Sequence, residues 1–222
     1  MVKSYYIAGI KLAIIITVGL LLINYFIDQK RISKLNEQFL EYSWSMEDSK
    51  LFLLFRDFAG GDPKTSCSLL KERLTQVASD NAKFLENIQF YENVNVFGKE
   101  YYSIRKTFAL RNLELFFYYA DYKKNCDEDA HHILYFYPEA SECPDCKVQA
   151  SILNNIRDNC SNIINFALPS NSDINIVNLI KSKYNISVNP SLVVDGSYVF
   201  SGLTSKDKIL SKIRCKEIGV FG

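Results

Sequence analysis

At 222 residues and a formal net charge of +1, the chain is long enough for one full domain plus a substantial appendage, and no global field favours nucleic acid or another polyanion. Its hydrophobic content is 48%, much of the excess lying near the N-terminus, and 14 Tyr with 15 Phe mark a chain with real cores. No phosphate loop, serine triad or nucleic-acid motif is present.

The first segment, Ile7 to Ile27, reads IAGIKLAIIITVGLLLINYFI, apolar except for Lys11, Asn24 and a few small residues. At about 1.5 Å per helical residue, such a stretch matches a hydrocarbon core of roughly 30 Å. Tyr5, Tyr6 and Tyr25 suit the interfacial belt, and Lys11 can snorkel to the headgroups. The residues Asn24-Tyr25-Phe26-Ile27-Asp28 offer no small-residue cleavage site, which argues against a removed signal peptide. The segment 1–28 therefore predicts a single-pass membrane anchor. Lys3 and Lys11 on one side nearly balance Lys30, Arg31 and Lys34 on the other, so charge alone does not orient it.

Residues 29–129 carry no strand-like alternation of any length and predict an all-α region. Ser45 with Asp48 resembles a capping box ahead of Leu51 to Phe58, after which Gly60-Gly61-Asp62-Pro63 breaks the chain. Leu70, Leu74, Val77, Phe84 and Ile88 then recur at largely helical spacing, as do Tyr101, Ile104, Phe108, Leu115, Tyr119 and Tyr122. These stripes pack on each other or on the next domain, or else they form a docking surface.

Residues 130–222 change pattern. His132 to Tyr137 reads as a buried strand, Lys147 to Ile156 as a helix, and Ile163 to Ala167 as a second strand. Ser172 or Asp173 is placed to cap a helix carrying Ile174, Val177, Leu179, Ile180 and Tyr184. Ser191–Val194 and Ser197–Phe200 flank Asp195-Gly196, a strong hairpin signal, and Thr204 with Asp207 marks the start of a last helix. The order is strand, helix, strand, helix, strand, strand, helix.

The chemistry lies in Cys143-Pro144-Asp145-Cys146. Pro144 suits the first helical position, which leaves Cys143 at the N-cap, where unpaired backbone N–H groups and the helix dipole stabilise a thiolate. Such a setting lowers a thiol pKa from about 8.5 to roughly 3.5–7.5. Cys146, one turn on, is placed to resolve a mixed disulfide formed at Cys143. Structural zinc usually needs a second ligand pair at like spacing, and none is present, so neither a metal nor an organic cofactor is called for. The His131-His132 pair reads as a strand-edge feature. Of the other four cysteines, Cys67 pairs with Cys126 if two helices bring them together, and each is otherwise a buried free thiol. Cys160 and Cys215 are open in the same way.

The run YFYPEASECPDCK, the later VNPSLVVDG and the closing SGL before a helix resemble the thioredoxin superfamily over about residues 130–216. The resemblance implies an α/β thioredoxin-like domain, a central mixed sheet flanked by helices, here preceded by the transmembrane helix and the all-α segment. It further implies a cis bond before Pro190, facing the dithiol, with the Asn189 backbone pairing a substrate segment and Pro144 and Asp145 beside it. Two departures stand out. Tyr135 falls near the place of thioredoxin's buried Asp, for which Glu139 or Glu142 are the nearby carboxylates, and Pro144-Asp145 replaces Gly-Pro. The expectation is a membrane-anchored thiol–disulfide oxidoreductase exchanging disulfides with protein partners outside the cytoplasm, with Cys143 as nucleophile and Cys146 as resolving thiol. The alternative is a redox-silent binding or assembly module that uses the helical region as its interface.

Overall fold

A computed structural model describes residues 2–59, 63–93, 98–126, 129–138 and 143–218 of the protein. Contacts divide the chain into two units, Met1–Gly60 and Gly61–Gly222. The first unit is one long helix, α1 (Val2–Ala59). It passes through Ser45 and Asp48 without a break, so the expected capping box there starts no helix. The Gly60-Gly61-Asp62 break lies outside the described residues.

The transmembrane part of the expected fold class is corrected here. Among the described residues, no helix is long and apolar enough to cross a membrane. Beyond Ile27 the same helix continues to Ala59 as a mixed stretch, with charged residues interleaved with apolar ones such as Leu40, Trp44 and Leu51 to Phe55.

The second unit opens with α2 (Pro63–Asn93) and α3 (Lys99–Asn125), which pack together. Leu70, Val77 and Ile88 on α2 and Ala109, Leu113 and Phe116 on α3 are buried. A disulfide between Cys67 and Cys126 ties the start of α2 to the end of α3, so the pairing left open by the sequence is formed. Arg111 lies over the Phe84 ring at 4.6 Å, which places its flat cation against an aromatic face within this helix pair.

Then come β1 (His131–Tyr137), α4 (Pro144–Asn159), β2 (Ile163–Pro169), α5 (Asn175–Tyr184), β3 (Ser191–Val194), β4 (Tyr198–Ser201) and α6 (Lys206–Leu210). The four strands form one mixed sheet in the order β2-β1-β3-β4. β1 and β2 are parallel, and α4 provides the crossover that a parallel pair needs. β1–β3 and β3–β4 are antiparallel. Asp195 and Gly196 both take positive φ, at 51° and 65°, in the tight turn joining β3 to β4.

β1 is buried on both faces, and its two-residue period divides the core. Ile133 and Tyr135 face a cluster with Leu153 and Ile156 of α4, Leu192 and Val194 of β3, and Ile209 of α6. His132 meets Phe116 of α3 on the other side, where Phe116 also packs edge-on to Phe166 of β2. A second disulfide, Cys160–Cys215, joins the end of α4 to the segment after α6, and a bridge between Cys160 and Glu217 continues that closure.

Two helix starts differ from the sequence expectation. α5 begins after Ile174, which makes no side-chain cap, because Asp173 is engaged with Lys106 of α3 at 2.7 Å. α6 is capped by Ser205, one residue later than expected, because Thr204 is buried and turned inward.

The far end of the sheet carries a polar knot at the β3–β4 turn. Asp195 accepts from the His132 N–H at 3.0 Å, lies 2.6 Å from His131 Nδ1, and accepts from Lys123 at 3.1 Å. Burial alone raises the Asp195 carboxyl, but these three donors together outweigh it and hold its pKa below the usual range. His132 is pushed down to about 4, first by burial, against the opposing pull of Asp195.

Two outcomes follow for stability. Between pH 6.5 and about 4 the unfolded chain protonates His132 and the folded protein does not, so stability falls as pH drops across that window. The loss is about 3 kcal/mol, readable as urea midpoints against pH, and His132→Phe flattens it. The Asp195 contribution is retained there and is lost only below about pH 4, as its carboxylate protonates. Separately, replacing Cys160 and Cys215 together by Ala opens a closure of 55 residues. The expected cost is about 2–4 kcal/mol in urea denaturation, with far-ultraviolet circular dichroism unchanged.

Candidate active site

β1 ends at Tyr137 and the chain re-enters described structure at Cys143, the N-cap of α4. Pro144 occupies the first helical turn, where it has no N–H to leave unpaired and its fixed φ already suits a helix. The Cys143 sulfur accepts from the Cys146 N–H at 3.2 Å, and its carbonyl accepts from the N–H groups of Cys146 and Lys147 at 3.1 and 3.3 Å. A sulfur so placed meets the donor end of the helix, the setting that favours negative charge on it.

Cys143 and Cys146 are joined as a disulfide with Cα atoms 5.2 Å apart. Their surroundings differ. Cys143 is partly exposed, whereas Cys146 is 7% exposed and belongs to the core cluster. Pro144 and Asp145 are exposed between them. Glu139 and Glu142, the carboxylates weighed as stand-ins for a buried acid, lie outside the described residues.

Beneath the dithiol, the Tyr135 phenol donates to the Cys146 carbonyl at 2.8 Å. Burial pushes this phenol up to about 12, helped by Tyr137, so it stays protonated at neutral pH and serves as a donor. The Tyr135 and Tyr137 rings stack with centroids 5.5 Å apart. Arg105 of α3 donates to the Tyr137 hydroxyl at 2.9 Å and to the Tyr101 hydroxyl at 2.7 Å. The helix pair thus reaches the dithiol through two stacked phenols. Arg105 had no sequence signal, since nothing in its spacing relates it to residues more than thirty positions away.

The Asn189–Pro190 bond is cis, with Asn189 exposed and Pro190 buried. Ser191 pairs with Phe136, so the loop of Asn189 and Pro190 precedes β3 at the same end of the sheet at which β1 stops. Hydrogen bonds tie this loop to α4. The Pro190 carbonyl accepts from the Gly202 N–H at 2.8 Å, the Thr204 hydroxyl donates to the Gly202 carbonyl, and the Thr204 N–H donates to Gln149 Oε1 at 2.8 Å. Gln149 is fully buried on α4, one turn after Cys146. It was missed in the sequence, although it shares the helical spacing of Cys146, Leu153 and Ile156.

His131 and His132 lie at the opposite end of β1, bound to Asp195. Among the described residues, no group of three or more His, Cys, Asp or Glu side chains is placed to hold a metal ion.

No protein-family model and no curated protein matches the chain. The architecture itself, a mixed four-stranded sheet flanked by helices, is compatible with a thioredoxin-like fold.

Replacing Tyr135 by Phe keeps the stacked ring and removes only the donor to the Cys146 carbonyl. The expected outcome is a loss of about 1 kcal/mol in urea unfolding of the oxidised protein, with unchanged secondary structure.

Proposed function

We propose that this chain is a thiol–disulfide oxidoreductase of the thioredoxin superfamily, acting on protein dithiols and disulfides outside the cytoplasm. The observation that carries the reading is the asymmetry of the pair. Cys143 is partly exposed and caps a helix, while Cys146, joined to it, is buried. A partner therefore meets one sulfur only, and the other is held one helical turn away to finish the exchange.

In the reducing direction, the Cys143 thiolate attacks a partner disulfide, forming a mixed disulfide and releasing one partner thiolate. Cys146 then attacks the Cys143 sulfur. The bond to the partner breaks, the Cys143–Cys146 bond forms, and the second partner thiolate leaves and is protonated. Two electrons pass from the dithiol to the partner, and the reverse sequence oxidises a partner. By resemblance, the Asn189 backbone pairs with the incoming segment beside Pro144 and Asp145, next to the cis Pro190. An extracytoplasmic setting is supported by the other two disulfides, which close 59 and 55 residues and would not persist in a reducing compartment.

The test replaces Cys146 with Ser, which blocks resolution and leaves the mixed disulfide intact. Expressed in the native host and quenched with acid, this variant is expected to carry covalent protein partners that a reductant releases, and Cys143→Ser is expected to carry none. Absence of adducts in the Cys146→Ser protein would sink the reading and leave a redox-silent binding module.

A further inference from the structure

Gln149 combines features that ordinary packing does not require. Its side chain is fully buried, and its Oε1 accepts from the Thr204 N–H at 2.8 Å. Only an oxygen can accept from a backbone N–H, so this bond settles which end of the amide is which. The other end, Nε2, is left with no hydrogen-bond partner and no water-accessible surface. A buried donor without an acceptor carries a desolvation penalty, and such groups call for a reason.

The reason lies one turn back along the helix. Cys146, Gln149, Leu153 and Ile156 are the buried residues of α4. Side chains three apart on a helix have Cβ atoms about 5–6 Å apart, and a long side chain leans toward the N-terminal turn. The Gln149 amide therefore leans toward Cys146. In the oxidised protein Cys146 is a disulfide sulfur, a poor acceptor. On reduction it becomes a buried sulfur that must ionise to react, and burial opposes that.

We propose that Nε2 of Gln149 is the hydrogen-bond donor held for the Cys146 thiolate, satisfied only while the dithiol is reduced or resolving a mixed disulfide. The inference rests on the oxidoreductase reading for its biological use, although the interaction itself requires no partner. In the step it serves, the Cys146 thiolate attacks the Cys143 sulfur, the Cys143–partner bond breaks, and the partner leaves as a thiolate. The proton given up by Cys146 reaches that leaving thiolate through solvent, and the only oxidant is the partner's disulfide. Because its donor touches a reacting atom, Gln149 acts as a catalytic residue.

Other ionisable groups on the elements around this face are few. β1 contributes Tyr135 and Tyr137, with Arg105 of α3 behind them. α4 has Asp145, Lys147, Arg157 and Asp158, all exposed, and α6 has Lys206, Asp207 and Lys208. β2, which also packs on α4, carries no ionisable side chain. Among the described residues of these elements, the exposed Asp145, Asp158 and Asp207 are the carboxylates, and none lies on the buried face.

The experiment uses the full chain with Cys143→Ser, which leaves Cys146 as the one unpaired thiol while Cys67–Cys126 and Cys160–Cys215 stay closed. The Cys146 pKa is read from thiolate absorbance against pH, with and without Gln149→Met. A lost hydrogen bond to a charged group is expected to raise that pKa by roughly one to two units. A residue that only anchors the Thr204 loop would change stability and leave the pKa alone. A second reading needs no substitution at Gln149. In the isotopically labelled native sequence, one Gln149 side-chain amide proton is expected to shift downfield on reduction with dithiothreitol, to follow the Cys146 ionisation with pH, and to return on reoxidation. An unmoved amide proton, or a Cys146 pKa unchanged by Gln149→Met, overturns the proposal. Either result stands apart from the partner-trapping test, since no partner is present.

Discussion

Strand β1 is the constraint on which the second unit depends. It has a strand on each edge and packing on both faces, so every residue from His132 to Phe136 is buried. One face requires α4 and the last helical segment, the other requires α3, and the parallel edge requires α4 to cross over before β2 can form. The two ends of β1 serve different purposes. Its start is pinned by Asp195 to the β3–β4 turn and to Lys123 of α3. Its end releases the chain toward Cys143. The start of α4 therefore follows in sequence a strand that is buried on both faces.

That attachment explains the asymmetric environment of the dithiol. Cys143 sits where backbone donors are free and solvent is near, whereas Cys146 sits where the core begins. Two polar contacts made to this region come from neutral groups: the Tyr135 phenol donates to the Cys146 carbonyl, and Gln149 Oε1 accepts from the Thr204 N–H. A phenol held up to about 12 cannot serve as a base near neutral pH.

The two remaining disulfides act on different scales. Cys67–Cys126 holds a helix pair together at its open end, and Cys160–Cys215 returns the chain after α6 to the end of the reactive helix. Neither sulfur pair shares an element start with Cys143. Their role is to shrink the unfolded ensemble, which matters for a unit whose sheet has only four strands.

Much of the second unit was legible in the chain because its signals are local. Strand β1 is a short apolar run, the Asp195-Gly196 pair needs the positive φ of a tight turn, and Pro144 behind Cys143 marks a helix start whatever surrounds it. The helix starts at α5 and α6 were misread because Asp173 and Thr204 were drawn to Lys106 and Gln149, residues remote in sequence. The apolar segment Ile7–Ile27 was misread as a span on composition, while the described residues hold no helix long and apolar enough for one. By itself, then, the sequence determined the order of elements, the hairpin turn and the place of the dithiol at a helix tip, since each depends on backbone preferences within a few residues. Only the tertiary structure decided which cysteines pair, that Tyr135 and Gln149 lie beside Cys146, and that Arg105 reaches Tyr137. The disulfides Cys67–Cys126 and Cys160–Cys215 and the Tyr135 and Arg105 contacts join residues from separate elements, and no local preference encodes which elements a fold brings together.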